Sequence, residues 1–297
     1  MAATIRLATP LILTALGGTF ADRANIFNIG LESFMLVSSF FAMLGSYLFQ
    51  NPYMGLLFGI ASSVAMSMIF GVLVLYFGSN AMVVGIALNL GAWGLTTLLL
   101  DSIFHVRGAF IDPRIASFPQ IHIPVLERIP YIGTILSGQN LLVYLAYLSV
   151  ILCWVVMYKT PFGLRVRGVG LNEQAAQTAG VSILKYRWIS TIITGVFSGI
   201  AGTFLSLGGI SMFTENMSAG KGFLALAAIM IGKGNPAHVF LACLVFAYSD
   251  ALSVGLQSYN IPSQVVLMLP YIVTVLILTI VGVTDRRKIA KGFSLTA

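Results

Sequence analysis

Residues 159–188 read KTPFGLRVRGVGLNEQAAQTAGVSILKYRW, and the fold turns on this stretch. It is the longest polar interruption after Asn140 in a chain that is otherwise nearly all apolar. Five bases, Lys159, Arg165, Arg167, Lys185 and Arg187, stand against one acid, Glu173. A short helix is legible inside it from its ends. Asn172 is a good N-cap, and Glu173 sets negative charge in the first turn, where the helix dipole favours it. Residues 174–179 are alanine-rich, and Gly180 suits the position just past the helix end. A stubby helix between two membrane spans, with a basic surround, is suited to docking on something in the cytoplasm.

The composition agrees with a membrane setting. Of 297 residues, 58% are hydrophobic and 8% charged, and the mean hydropathy is +0.95. Soluble domains carry about 25% charged residues, so the chain is expected to be a polytopic membrane protein. The net charge of +7 is not a nucleic-acid footprint. Nine of the 16 Lys and Arg fall in two places, the 159–188 stretch and the tail Arg286, Arg287, Lys288 and Lys291. That clustering is what the positive-inside bias produces, and it assigns both segments to the cytoplasm. Cys153 and Cys243 stand alone in apolar runs, with no spacing for a disulfide framework or a metal site. The opening MAATIRLATPLILTALGGTF lacks the pattern of a cleavable signal peptide.

A crossing of the hydrocarbon core takes roughly 20 apolar residues. By that rule the chain is expected to be all-α with about nine (8–10) membrane segments: 5–20, 29–48, 54–77, 81–100, 140–158, 189–210, 217–232, 236–256 and 265–283. The polar loop 101–139 carries balanced charge and fits the outer side. Counting crossings back from a cytoplasmic tail returns 159–188 to the cytoplasm and places 101–139 and the N-terminus outside. Either the first segment is then re-entrant or the chain starts one helix later than comparable chains do. The segment 217–232 is the weakest span, since Phe223–Ile231 would cover only about 14 Å at the helical rise. It reads as half of a broken helix lining a cavity. A similar break falls at ADRANIFNIG. ALGGTFADRANIFNIGLESFML (15–36) and SLGGISMFTENMSAGKGFLALA (206–227) also share a faint likeness, the pattern of paired broken helices in a transporter built from repeats.

Polar groups within spans are candidates for function by default. Glu32 reads either as a pore-lining acid beside the break or as a glutamate stabilising a helix N-terminus. Asn89, mid-span in VVGIALNLGAWG, either hydrogen-bonds across helices or faces substrate. Asp250, in FAYSDALSVG, lies in the pathway or at the outer interface. Thr214, Glu215, Asn216 and Lys221 either meet cargo or a partner at the outer mouth or form a solvated connection. Gly195, Gly199 and Gly202 share one helical face, the geometry of close helix packing. The three histidines have no ligand spacing. No HExxH, GxSxG or GxxxxGK[ST] occurs, so neither catalysis nor nucleotide binding through a P-loop is expected of this chain.

At TPFGLRVRGVGLNEQAAQTAG (160–180) the chain resembles the cytoplasmic loop of ABC-importer permeases of the ribose and branched-chain amino acid type. The pattern there is approximately TxxGxxxRAxGxNxxAAxxxGI. ALGGTFADRANIFNIGLESFML, VVGIALNLGAWGLT and FTENMSAGKGFLALAAIMIGKGNP resemble three further motifs of that family, and the last is most similar to permeases of nucleoside importers. Departures fall at Asp22-Arg23-Ala24-Asn25, Ser33 and Gly168. The resemblance implies a type II-like permease, one membrane domain over 1–297, with 159–188 as a coupling loop and 101–139 outside. It assigns ATPase coupling to Gly163, Arg165, Arg167, Asn172, Glu173, Ala175, Ala176 and Gly180. The implied pathway residues are Asn28, Glu32, Asn89, Thr214, Glu215, Lys221 and Asp250. Implied partners are an ABC ATPase that carries the ATP and Mg, a second non-identical permease, and an extracytoplasmic nucleoside-binding lipoprotein at the bacterial cell membrane. This chain itself would bind no cofactor. Ribose-type sugars and branched-chain amino acids are alternative cargoes. An ion-coupled secondary transporter, with Glu32 and Asp250 as its carboxylates, is the rival from another class.

Overall fold

The computed structural model describes residues 2–121, 138–257, 268–279 and 283. Helices α1 (Ala2–Arg23), α2 (Leu31–Phe49), α3 (Pro52–Gly71) and α4 (Ala81–Phe104) come first. After the outer loop come α5 (Leu141–Lys159), α6 (Pro161–Leu171), α7 (Glu173–Thr178) and α8 (Ile183–Leu207). Then follow α9 (Lys221–Gly232), α10 (Pro236–Leu256) and α11 (Leu269–Thr279). Seven of these are long and apolar enough to cross a membrane, and α9 and α11 are shorter apolar helices. The nine expected segments therefore appear as seven full helices and two short ones. Segment 265–283 lies partly outside the described residues.

Asparagine or threonine followed by proline marks three helix starts. Asn51, Thr160 and Asn235 accept hydrogen bonds from the first turns of α3, α6 and α10, and Pro52, Pro161 and Pro236 follow them. Proline loses nothing there, because the first helical N–H has no intrahelical partner. Asn80 and Asn140 cap α4 and α5 in the same way. Beyond Gly71, α3 runs on as one wider turn, Val72–Tyr76.

Two sequence expectations are corrected. The 159–188 stretch holds more than one short helix between loops: α6 precedes α7, and α8 begins at Ile183, six residues earlier than expected. The glycines of α6 weaken its helical signal, and packing onto α5 and the end of α1 supplies what propensity does not. The outer loop is also more ordered than a charge-balanced connection. Strand β1 (Ala109–Ile111) pairs antiparallel with β4 (Met212–Thr214), and β2 (Gln120–Ile121) pairs with β3 (Gln139–Asn140). Asp112, in this loop, has its carboxyl held below the usual carboxylate range by hydrogen bonds from Arg114. Residues 122–137, with Glu127 and Arg128, lie outside the described residues.

Helices α1, α2 and α8 are the innermost; α3, α4, α5 and α10 turn most of their surface outward. At one end of α1, Arg6 Nε donates to Gln139 Oε1 (3.2 Å); at the other, Arg23 Nε donates to the Gly234 carbonyl (2.8 Å). A helix of 22 residues measures about 33 Å, so α1 is long and apolar enough to cross a bilayer. Its first residues lie on the same side as the 101–139 loop, as the crossing count requires.

The glycine face of α8 does what its spacing predicts. Ser63 Oγ donates to the Gly195 carbonyl (2.7 Å) and Ser38 Oγ to that of Gly199 (2.6 Å), while Thr194 Oγ1 donates to Gly17 (2.9 Å). A Cβ at Gly199 would sit 2.8 Å from Ile60 Cα, a backbone atom that cannot step aside. Small residues let α2, α3 and α8 approach until their hydroxyls reach across to main-chain oxygens. Gly199→Ala is expected to cost about 1–3 kcal/mol, typical of overpacking, and Gly199→Leu to prevent assembly. Thermal unfolding followed by size-exclusion chromatography in detergent checks both.

Candidate functional site

The first site lies where the chain breaks twice inside the membrane. Between α1 and α2 the backbone leaves the helix at Asn25, whose φ is +60°, and re-enters at Leu31. Asn28 Oδ1 accepts from the Gly30 N–H (2.9 Å), and its buried Nδ2 has no partner among the described residues. Asn89 on α4 spans the opening: Nδ2 donates to the Ile29 carbonyl (3.1 Å) and Oδ1 accepts from the Ser33 N–H (2.9 Å). Of its two sequence readings, the structure has Asn89 bonding across helices, satisfying main-chain groups that the break frees.

Glu32 performs the same service for the other half of the chain. Its Oε1 accepts from the Gly220 N–H (2.8 Å) and its Oε2 from the Gly222 N–H (2.6 Å). These are first-turn amides of α9, whose N-cap, Gly220 at φ +82°, has no side chain to offer. Glu32 therefore stabilises a helix N-terminus, though not that of its own helix. The carboxylate is 6% exposed, and two short hydrogen bonds plus the α9 dipole offset the cost of burying it. A Cβ on Gly222 would lie 2.6 Å from Glu32 Cα, so glycine there is required by close approach. Lys221 sits half-exposed between the two glycines. Tyr271 of α11 donates to the Ala219 carbonyl (3.2 Å) and stands within electrostatic reach of Glu32 and of half-buried Asp250.

Asn28, Glu32, Asn89 and Lys221 thus converge, with Asp250 nearby, while Thr214 and Glu215 do not. Thr214 pairs with Ala109 in the outer β-ribbon, and Glu215 Oε1 accepts from the Gly108 N–H (2.8 Å). Tyr271, Gly220 and Gly222 were not singled out from sequence. The internal likeness has a structural counterpart at one point: Asn25 and Asn216 occupy matching positions, and both have positive φ. The helices before the two breaks end differently, since α1 continues past its Gly17-Gly18 pair and α8 stops at Leu207.

The second site is the platform formed by α6, α7 and the start of α8. Asn172 Oδ1 accepts from the Ala175 N–H (3.0 Å) at one end of α7. At the other, Gly180 (φ +76°) and Val181 donate to the carbonyls of Gln177 (3.0 Å) and Ala176 (2.9 Å). These crossing bonds are a left-handed helix stop. Ala176 faces inward, whereas Gln174, Ala175, Gln177 and Thr178 are exposed beside Leu171, an apolar side chain 83% exposed. Gly163 lies against the end of α5 and Gly170 against the end of α1, both too close for a Cβ.

Four of the five basic residues here are engaged within the chain, and the fifth, Lys185, is exposed. Arg165 Nη1 donates to Tyr186 Oη (2.8 Å), the Arg167 guanidinium lies 4.8 Å over the Tyr158 ring, and Lys159 Nζ lies 5.9 Å from the Trp154 ring. Arg187 pairs with Glu173 and donates through Nε to the Ala24 carbonyl (3.2 Å). The platform is thus tied to the first break: α7 through Glu173 and Arg187 to Ala24, the residue before Asn25. A crevice of about 360 Å³ lies between them, bounded by Asn25, Phe27, Glu173, Arg187 and the wide turn at Val74 and Leu75.

The family model for the permease component of branched-chain amino acid transport systems matches residues 1–278. The guanosine ABC transporter permease protein NupQ of Bacillus subtilis is 35% identical, covering 96% of this chain and 93% of its own. The nucleoside ABC transporter permease protein NupC of Lactococcus lactis is 34% identical, covering 92% and 89%. A second B. subtilis relative, the guanosine permease NupP, is 30% identical over 89% and 76%. Among solved structures, a metal-chelate-type ABC transporter in an inward-facing conformation superposes with a TM-score of 0.54 at 15% identity, covering 94% of this chain and 84% of the other. That last likeness speaks to fold alone.

Glu32→Ala is expected to lower stability by about 1.5–3 kcal/mol, the range for hydrogen bonds to a charged group. Glu32→Gln, which keeps one acceptor oxygen, should lose less. Thermal melts of the two variants side by side test this, and equal melting points would remove the carboxylate from its role.

Proposed function

The chain belongs to the permease-component family of branched-chain amino acid transport systems, and from that premise we propose that it passes nucleosides inward as one of two non-identical permeases of an ATP-driven importer. It is a multi-pass membrane protein and the permease subunit of an ABC transporter. ATP hydrolysis belongs to a separate ATPase subunit, which would hold the ATP and Mg; this chain would bind no cofactor. An extracytoplasmic lipoprotein would deliver the cargo. Similarity to NupQ and NupC supports nucleosides, and similarity to both NupQ and NupP of one bacterium supports two different permeases in the assembly.

The observation that carries the mechanism is the linkage between α7 and the first break. ATP binding closes the ATPase subunits, and the exposed face of α7 follows the surface on which it docks. The Asn172 cap and the Gly180 stop make α7 a stiff lever. Its motion passes through the Glu173–Arg187 pair to Ala24 and the chain break before α2. Because Asn89 and Glu32 tie that break to α4 and α9, the broken helices move together. Alternating access follows as a switch between two packings of these elements. In this mechanism Asn172, Glu173 and Gly180 shape the lever, Ala175 meets the ATPase, and Ala176, Gly163, Arg165 and Arg167 hold the platform.

An ion-coupled transporter would need carboxylates free to exchange a cation or proton, and Glu32 has both oxygens on backbone amides. The family description gives branched-chain amino acids as the second cargo class. Uptake of labelled guanosine, uridine, ribose and leucine by proteoliposomes carrying the whole transporter decides among them. ATP-dependent uptake of a nucleoside alone is expected, and leucine alone would install the second reading.

Ala175→Glu is expected to lower substrate-stimulated ATP hydrolysis about tenfold or more, corresponding to ~1.4 kcal/mol lost at the docking surface. The complex should remain folded, since Ala175 is exposed. Ala176→Glu should fail earlier, by unfolding the platform. Unchanged hydrolysis in a folded Ala175→Glu complex would sink the coupling assignment.

A further inference from the structure

We propose that the outer half of α4 carries a nucleoside-binding station in which the base stacks on Trp93, an inference that rests on the nucleoside reading above. An open groove of about 630 Å³ lies along this helix, lined by Trp93, Gly94, Thr97 and Asp101, flanked by Leu90 and Leu98, with Arg107 and Glu215 at one end. Its volume is within the range of small-molecule sites. Trp93, Thr97 and Asp101 follow one another at four-residue spacing and so share one face of α4.

Trp93 is out of place for an ordinary membrane tryptophan. Interfacial tryptophans gather at helix ends, with the indole N–H at the headgroups. Trp93 lies about 18 Å from the start of α4, in the middle of a 24-residue helix. It is 51% exposed, and no hydrogen bond to its N–H is present among the described residues. An indole N–H without a partner at the depth of the hydrocarbon core is costly unless something accepts from it. Beside it, apart from adjacent residues and the helix's own backbone, nothing among the described residues lies within 4 Å of where a Gly94 Cβ would be. Packing among the described residues does not require that glycine, and the groove there is open.

Two polar groups of the lining, Thr97 and Asp101, match the other half of a nucleoside. Thr97 lies one turn outward from Trp93 and Asp101 two turns, about 12 Å along the axis. Asp101 gives one carboxylate oxygen to Arg107 (3.2 Å) in an exposed pair. The other oxygen remains able to accept from vicinal sugar hydroxyls. An aromatic plane for a base, a hydroxyl and a carboxylate for a ribose, and a ribbon-bound rim at the outer loop make a path from the outside to the middle of the membrane. A free pentose or leucine has no use for an aromatic plane at this depth, whereas a purine or pyrimidine does.

The test uses the complete transporter in proteoliposomes. Trp93→Ala is expected to raise the KM for nucleoside uptake about ten- to a hundredfold, the span covered by loss of base–aromatic stacking. Trp93→Phe should restore most of it. Basal ATP hydrolysis and recovery of the second permease with this chain should stay unchanged. A photoreactive azido-nucleoside should label the α4 peptide in the unaltered protein and not in Trp93→Ala. An unchanged KM overturns the station and leaves Trp93 against lipid. Loss of the second permease from the Trp93→Ala complex also overturns it, making this face the contact between permeases. If the unaltered transporter takes up no nucleoside, the cargo reading itself fails, which is a result distinct from either.

Discussion

A buried carboxylate joining two halves of one chain is the interaction on which the rest of this structure depends. Broken helices leave main-chain N–H and C=O groups exposed in a medium with no water to satisfy them, at a cost of several kcal/mol each. Here the freed amides at the start of α9 are taken by Glu32, which itself sits in the first turn of α2. Two main-chain donors and the positive end of a helix dipole offset the cost of burying the carboxylate. The glycines at 220 and 222 are part of the same arrangement: one supplies the left-handed turn and the other the clearance. Removing the acid strands two amides; enlarging Gly222 drives the halves apart. Each break is held by a residue of a different element, Asn89 at the first and Glu32 at the second, so neither can rearrange alone.

That mutual dependence makes a lever at the membrane surface useful. The platform around α7 is rigid by local chemistry: an asparagine cap, a left-handed stop, and arginines consumed by Tyr186, Tyr158 and Glu173. What it offers outward is small and mostly uncharged, a few alanine and glutamine side chains with Leu171 beside them. The basic surround that marks the stretch in the sequence is therefore chiefly an internal brace, and in the proposed mechanism the docking surface is the short helix itself. Arg187 lies where the two functions meet, with one nitrogen on Glu173 of the lever and another on the carbonyl before the break.

How much of this was legible depended on the distance over which each interaction acts. Spans were readable because about 20 consecutive apolar residues suffice to cross a bilayer. The α7 helix was readable because its cap and its stop lie within ten residues of one another. The glycine face of α8 was readable because its period is a property of the helix alone. Glu32 was visible as an anomaly, but its partner lies 188 residues away, and nothing local separates a gating acid from a remote cap. Helix α6 was missed because Gly163, Gly168 and Gly170 argue against a helix, while the contacts that require two of them, with the ends of α5 and α1, are tertiary. Thr214 and Glu215 looked like pathway groups because the strand pairing that occupies them joins two distant loops.

The same reasoning bears on where selectivity can reside. A carboxylate satisfied by two backbone amides has little left for a passing solute, and an asparagine bonded at both ends of its amide is in the same position. The polar residues at the breaks that looked most functional are thus largely occupied by structure. A solute must be recognised by groups whose capacity is still unmet and which face open space. Among the described residues of α4, those conditions are met a turn away from Asn89, on the outward side of the same helix. Trp93 is there, with Gly94 beside it and Asp101 toward the outer rim. Asn89 and Trp93, four residues apart, share one face of α4, so in the proposed mechanism this one helix would tie down the break at Ile29 and Ser33 and meet the cargo a turn further along.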